Sequence, residues 1–163
     1  MTLSLRAAKP GDETLLMQFI QELAAYEHLE HDVVATPDDL ANALFCDAPK
    51  VFAVLAVWDG KPAGFALYYF SYSTFAGKHK VYLEDLYVRD AFRGAGIGKQ
   101  LLIELARLAR EQDCSQVEWS VLDWNAPSIA FYDGLGAKHA KEWLPYALSG
   151  DAMVQLADEG DPQ

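Results

Sequence analysis

Cysteine is scarce. Cys46 and Cys114 are the only two in 163 residues, and they form no CxxC and lie at no histidine spacing that suits a metal. This excludes a disulfide framework and the usual zinc sites, and it predicts two buried free thiols. The four histidines, His28, His31, His79 and His139, show no i,i+4 or HExxH pairing either, so no metal is expected. Basic residues are few: 13 Lys+Arg stand against 24 Asp+Glu, a net charge of −11. A nucleic-acid binder normally carries a basic face, so that class is disfavoured, whereas cationic partners are permitted. No apolar run reaches the roughly 18 residues of a membrane span, and Met1 opens no signal-peptide pattern. The expectation is a soluble cytoplasmic protein without a membrane partner. Repeats, low-complexity tracts and Ser/Gly linkers are missing as well, which predicts one domain over residues 1–163.

What is present suits a sizeable core: 52% of the residues are apolar and 12% aromatic. Leu3 to Ala7 reads as a strand. Leu15, Leu16, Phe19, Ile20 and Leu23 mark one face of a helix reaching Tyr26. Thr36, Pro37 and Asp39 announce a second helix. Val51 to Trp58 and Ala63 to Tyr72 are β-rich runs flanking Asp59-Gly60-Lys61-Pro62, a hairpin signal. A strand from Val81 to Val88 leads through a glycine cluster into a periodic helix with Ile97, Leu101, Leu102, Leu105, Leu108 and Ala109 inward. Val117 to Val121 reads as a strand, Asn125 caps a short helix with Pro127 in its first turn, and a closing hairpin is expected around Trp143 to Tyr146 and Ala152 to Ala157. The order β-α-α-β-β-β-α-β-α-β predicts an α/β fold with a mixed sheet flanked by helices.

The cluster Arg93-Gly94-Ala95-Gly96-Ile97-Gly98 sits between a strand and a helix. The first backbone N–H groups of a helix lack internal partners, and the helix dipole is positive there. Glycines let an anion approach those groups without a Cβ in the way, so a phosphate or pyrophosphate is the natural guest. A dinucleotide fingerprint GxGxxG fails because Lys99 occupies the third glycine's place; a P-loop fails because Arg93 and Gln100 replace its first glycine and its hydroxyl. The spacing that fits is R-x-x-G-x-G.

That loop resembles the pyrophosphate loop of the GNAT N-acetyltransferase superfamily. Tyr82-Leu83-Glu84-Asp85-Leu86-Tyr87-Val88, Trp124-Asn125-Ala126-Pro127-Ser128-Ile129-Ala130-Phe131-Tyr132, the helix end Glu22-Leu23-Ala24-Ala25-Tyr26-Glu27 and Phe65 to Phe70 are similar to the diamine/polyamine branch, which includes spermidine/spermine and thialysine acetyltransferases. The resemblance spans about residues 5 to 150. It implies a mostly antiparallel sheet, acetyl-CoA as donor, a small cationic primary amine as acceptor, and a homodimer.

Acetyl transfer from a thioester to an amine requires a deprotonated amine, stabilisation of the developing oxyanion and protonation of the departing thiolate. The resemblance assigns the last task to Tyr132 and acceptor binding to Glu84, which is adjacent to Asp85 and so expected on the opposite strand face. A carboxylate beside the amine accepts its proton directly or through water. The same resemblance puts the cofactor against the main chain of Leu86, Tyr87 and Val88, against Arg93, Gly94, Ala95, Gly96, Ile97, Gly98 and Lys99, and near Asn125, Ala126, Pro127, Ser128 and Tyr132. It walls the amine site with Tyr26, Glu27, Glu84, Asp123 and Trp124. Asp123 stands where the family often has Glu, a shorter arm that bears on acceptor length. The alternatives within this reading are thialysine or another lysine-like acceptor, and a non-catalytic acyl-CoA-binding module.

Overall fold

A computed structural model describes residues 1–160. They divide into two compact units, one running from Met1 to Leu122 and one beginning at Asp123. The first unit is built on a five-stranded sheet in the order β1-β2-β3-β4-β5. Its strands are β1 (Leu3–Ala7), β2 (Val51–Trp58), β3 (Lys61–Ser73), β4 (Lys78–Val88) and β5 (Val117–Glu118). The first four pair antiparallel, and β5 joins β4 in parallel. The helices of this unit are α1 (Glu13–Glu27), α2 (Pro37–Leu44) and α3 (Ile97–Glu111). The expected α/β fold with a mostly antiparallel sheet is the observed one.

Local chemistry explains the element boundaries. Asp59 and Gly60 both take positive φ, +46° and +77°, which is what a two-residue hairpin turn between twisted strands requires. Thr36 and Asp39 form a complete capping box at α2, with Pro37 in the first turn. Arg6 grips Asp12 with two hydrogen bonds of 2.7 and 2.8 Å, holding that carboxyl below its usual range and tying β1 to the start of α1. The core on the α1 side joins Leu16 and Phe19 to Leu55, Phe65, Leu67 and Tyr87. Within it the rings of Phe19 and Phe65 stack with centroids 5.5 Å apart. On α3, Ile97, Leu101, Leu102, Leu105 and Ala109 are buried, the stripe its periodicity predicts.

The second unit contains α4 (Ala126–Gly134) and α5 (Gly150–Asp158). Here the expected closing hairpin is corrected: residues 143–146 form no strand, and 152–157 lie in a helix. Ala152, Met153, Gln155, Leu156 and Ala157 are strong helix formers, and Gly150 follows Ser149 at the helix start. The strand expected over Val117 to Val121 stops at Glu118, because its ladder with β4 ends at Tyr82, two residues short of a bulge in β4. The thiols are not buried either: Cys46 is exposed and Cys114 half-buried. Both follow a helix end, and their turns run along the surface. Among the described residues no helix is long and apolar enough to cross a membrane.

Candidate active site

Three pieces of the first unit meet along β4: the C-terminal end of α1, the bulged middle of the strand, and the glycine loop that follows it. In the register of β4 against β3, Leu67 faces Asp85 and Tyr68 faces Leu83, so Glu84 is the extra residue of a β-bulge. The bulge breaks the simple alternation expected of neighbouring residues. Asp85 stays in register with Leu67 and two residues from Tyr87, both core residues on the α1 side; Glu84 is exposed.

Asp85 is half-buried. Burial, then the charges of Glu84 and Glu27, push its carboxyl up to about 6. Glu27, the last residue of α1, is raised by burial too. Asp85 and Glu27 are thus partly desolvated carboxylates with the exposed Glu84 alongside, and on those two a proton binds more tightly than on an ordinary surface acid. Sequence reasoning singled out Glu84 and Glu27 but not Asp85, since only the bulge decides which of the adjacent pair turns toward α1.

Below the bulge, β4 has a free edge. Arg89 donates its N–H to the carbonyl of Ala63, and in the antiparallel register Leu86 and Val88 then aim their N–H and C=O away from β3. The β5 ladder has ended by that point. Of these outward groups the Val88 carbonyl accepts from Arg93 Nε at 3.0 Å, whereas Leu86 faces away from the ladder with β3.

In the loop, Gly94 and Gly96 have φ of +80° and +79°, and a Cβ added to either meets nothing within 4 Å. The glycines are therefore demanded by backbone conformation, and the space a side chain would fill is left open beside the start of α3. Gly96 is the N-cap of α3, and no acidic residue occupies its first turn; α1, α2 and α5 each carry one there. The outward N–H groups of Ile97, Gly98 and Lys99 and the positive end of the dipole suit a pyrophosphate. Ala95 and Lys99 are exposed beside them. Arg93 turns elsewhere: its Nε donates to the carbonyl of Val88 at 3.0 Å, Nη1 lies 2.7 Å from Asp90, and the guanidinium sits over the rings of Tyr26 and Tyr87.

In the second unit, Asn125 is buried and caps α4, its side-chain oxygen accepting from the N–H of Ser128 at 3.4 Å. Ala126, Pro127 and Ser128 form the first turn. Trp124, about half exposed, and Asp123 precede the cap. Tyr132 is half-buried near the C-terminal end of α4, its ring 5.4 Å from that of Phe131. Its carbonyl accepts from the N–H groups of Leu135 and Ala137, which closes the helix.

Residues 16–137 match the model of the acetyltransferase (GNAT) family. The thialysine N-epsilon-acetyltransferase of Bos taurus is 37% identical, over 94% of this chain and 96% of its own. The spermidine/spermine N(1)-acetyltransferase-like protein 1 of Homo sapiens is 36% identical over 95% of this chain but 24% of its own length. Among solved structures, an integron cassette protein from the mobile metagenome of V. cholerae is similar with a TM-score of 0.79 and 30% identity, covering 96% of this chain and 98% of that one. A fold matched along nearly its whole length, and a family match that takes in the bulged strand, the glycine loop and Tyr132, lead to one conclusion: the chain belongs to the GNAT family and is an N-acetyltransferase.

Proposed function

We propose that the protein transfers the acetyl group of acetyl-CoA to a primary amine of a small diamine or polyamine. The observation that carries the acceptor is the acidic group Glu27, Glu84 and Asp85 at the edge of β4. Acetyl-CoA supplies the activated thioester. Its pyrophosphate rests on the main chain from Gly94 to Lys99 and its pantetheine arm along Leu86 to Val88, with the Leu86 N–H offered to the carbonyl oxygen as negative charge develops there. The family resemblance assigns the segment Asn125 to Ser128 to the cofactor as well.

Free alkyl amines carry a proton at neutral pH, with reference values near 10. The carboxylates attract that cation, and Glu84 takes one proton directly or through water. The neutral nitrogen attacks the carbonyl carbon, the C–S bond breaks, Tyr132 gives its proton to the leaving thiolate, and the second proton, shed by the acylated nitrogen as the amide forms, restores the phenol through solvent. The second, still charged nitrogen is held by Glu27 beside Tyr26, and the family resemblance assigns Asp123 and Trp124 to the acceptor as well. A lysine-like amino acid is the second reading. The bovine relative matched over nearly its whole length is named for thialysine, and a side-chain amine with an α-ammonium group presents the same two cations.

A panel of a diamine, its monoamine analogue and thialysine, read by CoA release, tests the proposal. The dications should have the higher kcat/KM at low salt, with values rising through the neutral pH range. Equal values for diamine and monoamine would reject the acidic cradle, and no release from any amine would reject the function. Gly96→Val, which puts a branched side chain into the open cradle, should weaken acetyl-CoA binding by calorimetry on the order of tenfold, the loss of about one good anion contact. Unchanged affinity in a folded variant would reject the loop as the pyrophosphate site.

A further inference from the structure

The sequence motif invites the view that Arg93 is a phosphate ligand, and its contacts point elsewhere. Two arginines tie the second half of α1 to the chain leaving β4. Arg89 donates to the Glu22 carboxylate from Nε and Nη2, at 3.0 and 2.7 Å, donates from Nη1 to the Pro62 carbonyl, and lies 4.6 Å over the Phe19 ring. Arg93 repeats the device one turn further along α1, with its guanidinium 5.0 Å from the centroid of Tyr26 and 5.8 Å from that of Tyr87. The bond to the Val88 carbonyl and the Asp90 ion pair fix its plane. Tyr26 is bonded to Glu27, the proposed amine-side carboxylate, and Arg93 to Gly94, the first glycine of the proposed pyrophosphate loop. One side chain therefore bridges the two binding regions.

We infer that Arg93 is a positioning residue that couples the cofactor loop to the amine wall through its stack on Tyr26, and this rests on the acetyl-CoA reading of the loop above. An anion seated on Gly94 to Lys99 orders the loop backbone, the ordered loop holds Arg93, and Arg93 holds the end of α1. By reciprocity, anything that loosens Tyr26 weakens binding at the loop. Arginine suits the task because a planar guanidinium stacks on a ring face while its edge makes hydrogen bonds, which a lysine ammonium cannot do.

A double-mutant cycle on CoA affinity tests this without needing the acceptor's identity. Tyr26→Leu should weaken CoA binding about three- to fivefold, the worth of one partly exposed cation–π contact, although Tyr26 is not assigned to CoA. Tyr26→Phe, which keeps the ring, should bind as the wild type does. Arg93→Lys keeps the charge but not the stack and should lose affinity as Tyr26→Leu does; adding Tyr26→Leu to it should cost nothing more. Wild-type affinity in Arg93→Lys would make the charge itself the determinant and overturn the inference. So would additive losses in the double variant, or an unchanged affinity in folded Tyr26→Leu. Failure of the wild-type protein to bind CoA at all would overturn the acetyl-CoA reading and the coupling with it.

Discussion

Asp85 is held where its charge is costly: half-buried, between two other carboxylates, and titrating at about 6. Its proton is bound more tightly in the folded chain than in the unfolded one. The group therefore favours folding fully only below its unfolded value near 4, and that contribution is lost as pH rises through about 6. Asp85→Asn should then raise Tm at neutral pH and leave it almost unchanged near about pH 3.5. After allowance for solvent screening the gain is on the order of 1–2 kcal/mol, a few degrees for a chain of this size. An equal gain at both pH values, followed by thermal unfolding, would show that packing and not charge is responsible. Tyr132 carries the opposite expectation, a large effect on rate with little on stability. Tyr132→Phe should lower kcat about a hundred- to ten-thousand-fold with little change in either KM, because its hydroxyl acts on the thiolate only as it leaves. Near wild-type kcat, where chemistry limits the rate, would make Tyr132 a packing residue.

At the scale of elements, β3 and β4 leave no room for a side chain where Gly64 faces Val88. A Cβ on Gly64 would stand 2.3 Å from the Tyr87 carbonyl oxygen and 3.1 Å from the Val88 Cα. Both are backbone atoms of the strand that carries the candidate site, so neither can swing aside. Gly64→Ala should therefore destabilise the fold by about 1–3 kcal/mol, as overpacking does, and should shift β4 where it lines the proposed pantetheine path. Unfolding curves check the first effect and CoA affinity the second. Elements with strong local signals matched their reading: the Asp-Gly turn, the Thr36 capping box, the stripe on α3 and the Asn125 cap are each set by residues within a few positions of one another. The C-terminal segment did not match. It was expected as a hairpin, but a strand needs a partner, and the helix formers from Ala152 to Ala157 satisfy their backbone without one.

For the whole molecule, the second unit leaves a run of large apolar side chains in solvent. Trp143 is 76% exposed, Leu144 75% and Tyr146 92%, and Leu148, Met153, Val154 and Leu156 are more than half exposed. Such a run is unusual on a soluble monomer and is covered in most proteins by a partner. Together with the family resemblance it motivates the proposal of a homodimer. Sedimentation at micromolar concentration should give twice the monomer mass, and Tyr146→Asp should shift the species toward monomer. A wild-type protein that sediments only as a monomer would refute the dimer. The sequence by itself determined the order of most elements, the place of the glycine loop at the start of α3 and the acidic balance, because these depend on residues close together in the chain or on composition alone. Which carboxylate of the Glu84-Asp85 pair turns toward α1, where the β4 edge is left free, and that Arg93 lies over Tyr26 rather than along its own loop were decided only by the tertiary structure. Each of these depends on which strand or helix lies alongside, and so on contacts between residues far apart in the sequence.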